Sequence, residues 1–182
     1  MGAEDEQRAN RLGALALAVA DRVRAETEAA VGHSGAAAAA LVMVVQFPGR
    51  TVEFLRRAVG LSHPAAVRVV DRLVEQKLVR RRPVGAGPAV ALTATAAGRR
   101  AARRILDVRR EVLVAALPDM SEREAAALDA ILERALEGLA STPGTTICRL
   151  CDMGRCRTGD CPVVDRQIEL GVPPPDFVPV EE

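Results

Sequence analysis

The stretch of residues 51–98 constrains the fold of this chain more than any other part of its sequence. Thr51 and Ser62 are suitable N-caps for two short amphipathic helices, and a glycine makes the turn between them. Two short runs, LVRRR and AVALT, then flank a tip rich in proline and glycine, which is typical of a β-hairpin. Thr93 or Thr95 is expected to begin another helix. This order predicts a winged helix-turn-helix, although a helical hairpin that binds no DNA would share its first half.

Long helices are predicted on both sides of this unit. Apolar residues recur at spacings of three and four over residues 5–31, and residues 34–46 are apolar nearly all round, which indicates a buried helix. The helix after the hairpin is expected to reach about Leu117, just before Pro118, and a capping box at Ser121 begins the last one. The chain is rich in Ala, Leu, Arg and Glu and has no Trp or Tyr. We therefore expect a mainly α fold.

The net charge of +1 conceals a strong asymmetry along the chain. Residues 50–110 contain 15 Lys or Arg and four Asp or Glu, a net charge of +11, whereas the rest of the chain carries −10. Such a basic block is the electrostatic footprint of a protein that binds a polyanion. A solvated basic helix face would have the same composition, so charge alone leaves both interpretations open.

Two segments resemble the MarR family of transcriptional regulators. LSHPAAVRVVDRLVEQKLVRR, residues 61–81, is similar to that family's recognition helix and first wing strand. ALTATAAG, residues 91–98, is similar to its second wing strand and the start of the next helix. The D-R-L element at residues 71–73 and the glycine that ends the second segment are the more specific features. The resemblance covers about residues 10–140.

The resemblance implies an obligate homodimer in which the first and last helices interleave and two winged units read a palindromic site in double-stranded DNA. It also implies a regulator, expected to be a repressor, with a pocket for a small-molecule effector between the dimerisation helices and the winged unit. The expected fold is mainly α, a winged helix-turn-helix with a small β-hairpin wing and flanking dimerisation helices. The expected parts are N-terminal dimerisation and support helices (1–47), the DNA-binding winged helix-turn-helix (48–97), C-terminal dimerisation helices (98–140), and a cysteine-rich loop with a Pro-rich tail (141–182).

The groove-facing side of the recognition helix follows from helical phase, because it lies opposite the apolar Ala66, Val70 and Leu73. Arg68 is the best candidate for reading a base, since Arg to guanine is the commonest specific contact. Relatives usually have Ser or Thr at the position of Val67, and a valine there can touch a thymine methyl group but cannot form a hydrogen bond. The residues that helical phase and the resemblance place on this side are Ser62, His63, Pro64, Val67 and Arg68.

Further basic residues are expected to contact the DNA backbone, which gives affinity without sequence information. Arg72 is expected either to bind a phosphate or to order Asp71. His63 is expected either to donate a hydrogen bond to a base or a phosphate, or to make no contact with the DNA. The wing tip VGAGPA has no charge, whereas relatives carry an acidic and arginine-rich tip. We therefore expect weaker binding, or binding that relies on the recognition helix and neighbouring phosphates. The phosphate contacts expected at the base of the wing are Arg80, Arg81 and Arg82.

Four cysteines lie within fourteen residues, in the pattern C-x2-C-x4-C-x4-C. Four soft ligands in so short a loop suit a tetrahedral metal site, for which zinc is favoured and an iron–sulfur cluster or redox-sensing site is the alternative. Disulfides or free thiols are the interpretation without a metal. The segment is expected either to clip the C-terminal tail onto the dimer or to act as a sensor that shifts the dimer helices. The predicted ligands are Cys148, Cys151, Cys156 and Cys161.

Enzymatic function is not expected. The two histidines, His33 and His63, form no recognisable pair with a nucleophile, and no phosphate-binding glycine loop is evident. An acidic N-terminus and the absence of a long apolar run predict a cytoplasmic protein that does not enter a membrane. The main alternative to a DNA-binding regulator is a zinc- or redox-responsive adaptor whose degenerate winged helix does not read DNA specifically.

Overall fold

The structure is a computed structural model, which describes residues 2–33, 35–83, 90–144, 146–155 and 161–172. Three parts of the chain for which the sequence makes predictions lie outside these ranges: the wing tip at residues 84–89, Cys156, and the Pro-rich tail from residue 173.

The described residues form a mainly helical protein with one two-stranded antiparallel sheet, which confirms the predicted fold class. Four helices precede the sheet in the described part of the chain, and three helices and two short 3₁₀ turns follow it. In chain order the elements are α1 (Ala3–Val31), α2 (Gly35–Gln46), α3 (Val52–Val59), α4 (His63–Glu75), β1 (Val79–Pro83), β2 (Val90–Ala94), α5 (Ala96–Ala115), α6 (Glu122–Leu139), the 3₁₀ turns Ile147–Leu150 and Met153–Arg155, and α7 (Pro162–Glu169).

Side-chain caps set the starts of the helices in and around the winged unit. The hydroxyl oxygens of Thr51 and Ser62 accept hydrogen bonds from backbone N–H groups one turn into α3 and α4. Thr95, rather than Thr93, caps α5 in the same way. A capping box joins Ser121 to the carboxylate three residues later at the start of α6. Each cap satisfies a backbone donor that the helix itself cannot, and these predicted helix starts are confirmed.

Helix α2 lies at the centre of the hydrophobic core. Its residues 38–46 are all buried, which confirms the burial expected from a helix that is apolar nearly all round. Leu55 of α3, Leu73 of α4, Leu92 of β2 and Ile105 of α5 belong to the same cluster and are at most 1% exposed. The unit formed by α3, α4, β1 and β2, called the reading head below, is therefore packed directly on α2.

Strands β1 and β2 pair in antiparallel register, with Arg81 opposite Leu92. Leu92 also exchanges backbone hydrogen bonds with the loop that follows α2. Its N–H donates to the carbonyl of Arg50 at 2.9 Å, and its carbonyl accepts from the N–H of Gly49 at 2.8 Å. The base of the wing is thus tied to the core by the backbone on both edges of β2.

Gly98 in the first turn of α5 lies against the backbone just before β1. A Cβ atom at this position would collide with the carbonyl oxygen of Leu78. The same oxygen accepts a hydrogen bond from the N–H of Thr95 at 2.9 Å, and the Thr95 hydroxyl donates to the carbonyl of Lys77 at 2.8 Å. The glycine at the end of LTATAAG is therefore required because the two backbones approach too closely for any side chain.

Helices α1 and α6 have little of their surface covered within one chain. Helix α1 packs on α5 through one stripe that includes the half-buried Val19 and Val23 and the buried Thr27. Helix α6 has no buried residue, and α7 is the helix that packs on it. Large apolar side chains on these helices and at the end of α5 are exposed, namely Leu12, Leu15, Leu17, Val114, Leu117, Ile131, Leu132 and Leu139.

No single helix in the described ranges is long and apolar enough to cross a membrane. Helices α1 and α2 reach that length and hydropathy when taken together, but they meet at a bend of 70°.

The C-terminal region contains a helix, α7, that the sequence analysis did not predict, between the cysteine-rich stretch and the Pro-rich tail. This helix packs on α6, with Val163 and Val164 buried. The buried Gln167 ties α7 to the end of α6: its amide nitrogen donates to the carbonyls of Ala140 and Thr142, both at 3.0 Å. Its amide oxygen also accepts a hydrogen bond from the backbone N–H of Gly144, in the turn that follows α6. A helix of eight residues held mainly by such long-range contacts has a weak local signature.

Candidate nucleic-acid interface

Helix α4 presents its predicted groove-facing side at the surface. Ala66, Val70 and Leu73 are fully buried, so the opposite side of the helix faces solvent. Arg68 makes no hydrogen bond or ion pair with any residue that the structure describes. Its guanidinium is therefore available to an external acceptor. Of the predicted residues, Ser62, His63, Pro64, Arg68 and Arg72 are exposed and Val67 is half-buried.

An ion pair joins the wing to α4. A guanidinium nitrogen of Arg81 lies 2.7 Å from a carboxylate oxygen of Asp71. Arg81, rather than Arg72, therefore orders Asp71, which corrects one of the two roles expected for Arg72. Side chains alternate along a strand, so Arg80 and Arg82 lie on the face of β1 opposite to Arg81, and both are exposed. Within the described ranges, Arg81 is the wing arginine whose charge is partly neutralised by an acidic residue.

Helix α3 carries a second basic group that the sequence analysis did not single out. The carboxylate of Glu53 accepts hydrogen bonds from Arg56 and from Arg57, at 2.7–2.9 Å. The hydrogen bond from Arg56, aided by Arg57, lowers the pKa of Glu53 from 4.5 to about 2. His63 at the start of α4 has its Nδ1 atom 4.0 Å from the same carboxylate. The sequence does carry a signal for this group, because Arg56 and Arg57 follow Glu53 at the i+3 and i+4 positions that face each other on a helix.

His33 is buried between α1 and α2 and lies near the recognition helix. Burial lowers the pKa of its imidazole, and the charge of Arg72 lowers it further. The neutral form is therefore favoured. Arg72 forms no ion pair with an acidic residue in the described ranges, so its charge remains available to a phosphate.

Cys148 and Cys151 form a pair of interacting thiols. Cys148 lies in a 3₁₀ turn, and Cys151 directly follows that turn. A hydrogen bond from the Cys148 side chain lowers the pKa of Cys151 to about 6, and the charges of Arg109 and Arg149 lower it further. Burial and the carboxylate of Asp152 oppose this shift. Soft metal ions bind thiolates, so this environment favours the form of cysteine that a metal needs.

A buried glutamine clamps this pair onto the core. The side chain of Gln46, at the end of α2, is fully buried, with 0% exposure. Its amide nitrogen donates to the carbonyl of Cys151 at 3.2 Å, and its amide oxygen accepts from the N–H of Met153 at 2.7 Å. The Met153 side chain is itself part of the core. The cysteine pair is thus held against the core helix α2, although it follows the last long helix in sequence.

The start of the same segment touches the turn of the helix-turn-helix. Gly60 makes this turn with a φ of +74°, a conformation that favours glycine. The methyl group of Thr146 lies so close that a Cβ on Gly60 would be 3.1 Å from it. Residues 146–155, called the cysteine segment below, therefore contact both the core helix and the α3–α4 turn.

The structure brings together two of the four predicted metal ligands. Within the described ranges no three His, Cys, Asp or Glu side chains converge on one point. Cys161 lies at the N-terminus of α7, and Cys156 falls outside the described residues. The described thiols fit half of a four-thiolate site in their chemistry and spacing.

The comparisons with known proteins agree with this architecture. The sequence profile of the MarR family matches residues 32–87, which include the helix-turn-helix and the first wing strand. No curated protein sequence is similar enough to this chain to count as a match.

Solved structures of a transcription regulator and of a MarR family protein share the fold. The Staphylococcus aureus regulator MepR, of the multidrug efflux pump MepA, has a TM-score of 0.63 at 17% identity, over 72% of this chain and 97% of that one. The Mycobacterium tuberculosis MarR family protein Rv2887 in complex with DNA has a TM-score of 0.58 at 23% identity, over 70% and 95%. The same protein in complex with p-aminosalicylic acid has a TM-score of 0.55 at 23% identity, over 70% and 96%. Residues 32–87 are thus similar to the MarR family, and the solved structures show that the chain shares their winged-helix fold.

Proposed function

We propose that this chain is a DNA-binding transcriptional repressor that acts as a homodimer on a palindromic operator. The observation that carries the proposal is the exposed face of α4, where Arg68 and Arg72 have no acidic partner in the described ranges. Arg80 and Arg82 add two exposed cations on the neighbouring strand. A basic helix beside a basic wing is how winged helices bind the major groove and the flanking phosphates. Rv2887, which has the same fold, was solved in complex with DNA, and this supports DNA as the partner.

The uncovered flanking helices support a homodimer. Helix α6 is amphipathic yet has no buried residue, and Ile131 and Leu132 are about half exposed. A groove of about 770 Å³ runs between α1 and α5, with Val19, Val108 and Val112 in its lining. Exposed apolar surface of this extent marks an interaction site, and a second copy supplies matching apolar helices. A two-fold dimer would present two reading heads, which accounts for a palindromic site.

The proposal is tested by selecting bound sequences from a randomised DNA library with the full chain. We expect inverted repeats whose half-sites are spaced by about one helical turn, roughly 10 base pairs. Binding should weaken steeply with salt, because phosphate contacts release counterions. A selection without any preferred sequence would instead favour an adaptor whose winged helix does not read DNA. Repression itself is tested by placing a selected site beside a reporter promoter, where the chain should lower expression.

We propose in addition that the four cysteines bind zinc. The support is the thiol pair of Cys148 and Cys151 and the guanidinium groups of Arg109 and Arg149, which stabilise negative sulfur. Metal analysis of anaerobically purified protein should find about one zinc for each chain, with no visible absorbance. If metal analysis instead finds iron and sulfide in a brown protein, the site holds an iron–sulfur cluster rather than zinc. Protein without metal, with all four thiols reactive, would contradict both.

A small-molecule effector is proposed on the resemblance and on the complex of Rv2887 with p-aminosalicylic acid. It is tested by measuring DNA affinity with and without that acid. An unchanged affinity would remove this acid from the candidates.

A further inference from the structure

We infer that the cysteine segment is a brace for the reading head, and that operator recognition by α4 depends on it. The segment holds the α3–α4 turn in place relative to the core helix α2, with Gln46 and Thr146 as its two positioning residues. The inference rests on the proposed function for DNA binding, but it requires no metal at the cysteines. It adds to the winged helix-turn-helix a part that lies far beyond the wing in sequence.

The anchor of the brace on the core is Gln46 at the end of α2. Its side chain is fully buried, its amide nitrogen donates to the carbonyl of Cys151, and its amide oxygen accepts from the N–H of Met153. Both ends of the buried amide would lose their partners if the segment moved away, which is strongly unfavourable. The Met153 side chain packs in the same core cluster as α2. Polar and apolar contacts therefore hold this end of the segment on the core.

The stretch between the anchor and the turn is short and closed by its own hydrogen bonds. The backbone N–H and the side chain of Arg149 both donate to the carbonyl of Thr146, at 3.2 and 2.8 Å. The N–H of Cys151 donates to the carbonyl of Cys148 at 3.0 Å, at the end of the first 3₁₀ turn. This turn packs on both α2 and α3, and its Leu150 side chain contacts the core cluster. The stretch is thus a stiff connection between the anchor and the reading head.

The other end of the brace lies against the α3–α4 turn. Both neighbouring atoms within 4 Å of a Cβ built at Gly60 belong to Thr146, and the nearer one, its methyl carbon, is 3.1 Å away. The N–H of Leu61 closes the turn by donating to the carbonyl of Arg56 at 2.9 Å. Gly60 itself is exposed. The methyl group of Thr146 therefore supports a piece of backbone that lies outside the core.

The position of this turn decides where the reading end of α4 lies. The buried stripe of α4 begins at Ala66. Ser62, His63 and Pro64 precede it and are exposed. The core therefore fixes the middle of α4, whereas the first turn of the helix, with three of the predicted groove-facing residues, depends on the chain that leads into it. A loosened brace displaces these side chains from the bases and leaves the phosphate contacts of the wing in place.

Gln46→Met tests the anchor in the full chain. Methionine keeps an unbranched side chain of similar size in α2 and removes both hydrogen bonds to the segment. At equal metal content, affinity for a selected operator should fall by at least about fivefold, and affinity for random DNA should change by less than about twofold. Partial unfolding would lower both affinities by the same factor, so the ratio of the two reports positioning rather than stability. An unchanged ratio overturns the inference.

Thr146→Ser tests the contact with the turn, and it remains informative if Gln46→Met does not fold. It removes only the methyl group that lies against Gly60, and the ratio of operator to random affinity should fall by about two- to threefold. Thr146→Val is its matched partner, because valine keeps a methyl group and replaces only the hydroxyl. It should retain the ratio of the wild type. A wild-type ratio in the serine variant, or an equal fall in the valine variant, overturns the inference.

Gln167→Met is the control for the loss of a buried amide. Gln167 also makes three hydrogen bonds to backbone atoms, but these lie at the end of α6 and in the turn after it. This variant should keep the wild-type ratio of operator to random affinity. A fall as large as in Gln46→Met would contradict the inference, because discrimination would then depend on attachment of the C-terminal region in general.

Hydrogen exchange of the protein without DNA separates this inference from the proposed function. The N–H groups of Gly60 and Leu61 donate to carbonyls at the end of α3. They should exchange at least about fivefold faster in Gln46→Met and about twofold faster in Thr146→Ser, while the amides of β1 and β2 keep their wild-type rates. Equal exchange at the turn overturns the brace whether or not the protein binds DNA. Faster exchange in these variants of a protein that does not discriminate between DNAs supports the brace and contradicts the proposed function.

Discussion

A carboxylate oxygen of Asp71 in α4 lies 2.7 Å from a guanidinium nitrogen of Arg81 in β1, so one ion pair joins the recognition helix to the wing. Both side chains are more than a third exposed, and the pair should contribute less than about 1 kcal/mol to stability. Its larger effect is expected on DNA binding, because it sets the direction in which the wing leaves α4.

Asp71→Asn separates this positioning role from simple electrostatics. Removing a negative charge beside the DNA would by itself strengthen binding. We expect the opposite, a loss of operator affinity of about 1 kcal/mol, because a salt bridge that orders the wing is lost while the shape of the side chain is kept. The measurement is operator affinity at fixed salt, with thermal unfolding as the control for stability. A gain in affinity would contradict the positioning role.

Arg80 and Arg82 should bind phosphates rather than bases. Arg82→Ala is expected to weaken binding to operator and random DNA alike and to reduce the slope of log affinity against log salt by roughly one for each protomer. Arg81→Ala should reduce the slope less, because Arg81 is already paired with Asp71. The check is a salt titration of all three proteins. Equal slopes for Arg82→Ala and the wild type would exclude a phosphate contact.

Gly98→Ala should destabilise the protein by on the order of 2 kcal/mol, because the added methyl group meets the carbonyl oxygen of Leu78. The matched control is Gly138→Ala near the end of α6, where nothing lies within 4 Å of the added atom. That change should be neutral or stabilising by about 0.5–1 kcal/mol, since alanine favours a helix interior. Chemical denaturation at equilibrium measures both. Similar stabilities for the two variants would contradict the close approach.

Leu132→Glu should turn the proposed dimer into a monomer at micromolar concentration. The side chain is 48% exposed on a helix with no buried residue, and a charge there cannot be buried against a second copy without a large desolvation cost. Arg134→Glu, a charge reversal at an exposed position of the same helix, is the control and should remain dimeric. Sedimentation velocity distinguishes the two states. A wild-type protein that sediments as a monomer would contradict the proposed dimer.

Glu53 should make the free energy of unfolding depend on pH in the acidic range. Its pKa is lowered from 4.5 to about 2 in the folded protein, chiefly by the hydrogen bond from Arg56. The stabilisation is therefore fully present above about pH 4.5 and is lost as the pH falls towards 2. The stability difference between the wild type and Glu53→Gln should narrow over this range, as measured by denaturation at several pH values. A constant difference, like that expected for the exposed Glu133→Gln, would show that the pair with Arg56 does not persist in solution.

Local signals in the sequence predicted most of the helix starts. Thr51, Ser62 and Ser121 lie within three residues of the groups that they cap, so the pattern of a few letters contains the whole interaction. The burial of α2 also follows from composition, because a helix without a polar face has to be enclosed. These features do not depend on how the chain is folded elsewhere.

Long-range partners could not be predicted in the same way. Gln46 is the polar end of an apolar run, and its partners at Cys151 and Met153 are 105 and 107 residues away. Arg81 was one of three adjacent arginines, and the register of β1 against α4 selects it as the partner of Asp71. The position of the cysteine segment depends on such contacts, which explains why it was expected near the dimer helices.

The measurement that tests the central claim most directly is the effect of Arg68→Ala on discrimination between a selected operator and a shuffled sequence. If α4 reads bases through Arg68, the variant should lose roughly 1–3 kcal/mol of operator affinity with little change on shuffled DNA. Arg123→Ala removes the same charge from the start of α6, and it should leave the discrimination unchanged. Equal losses on both DNAs, or a wild type that does not discriminate, would contradict base reading by the recognition helix.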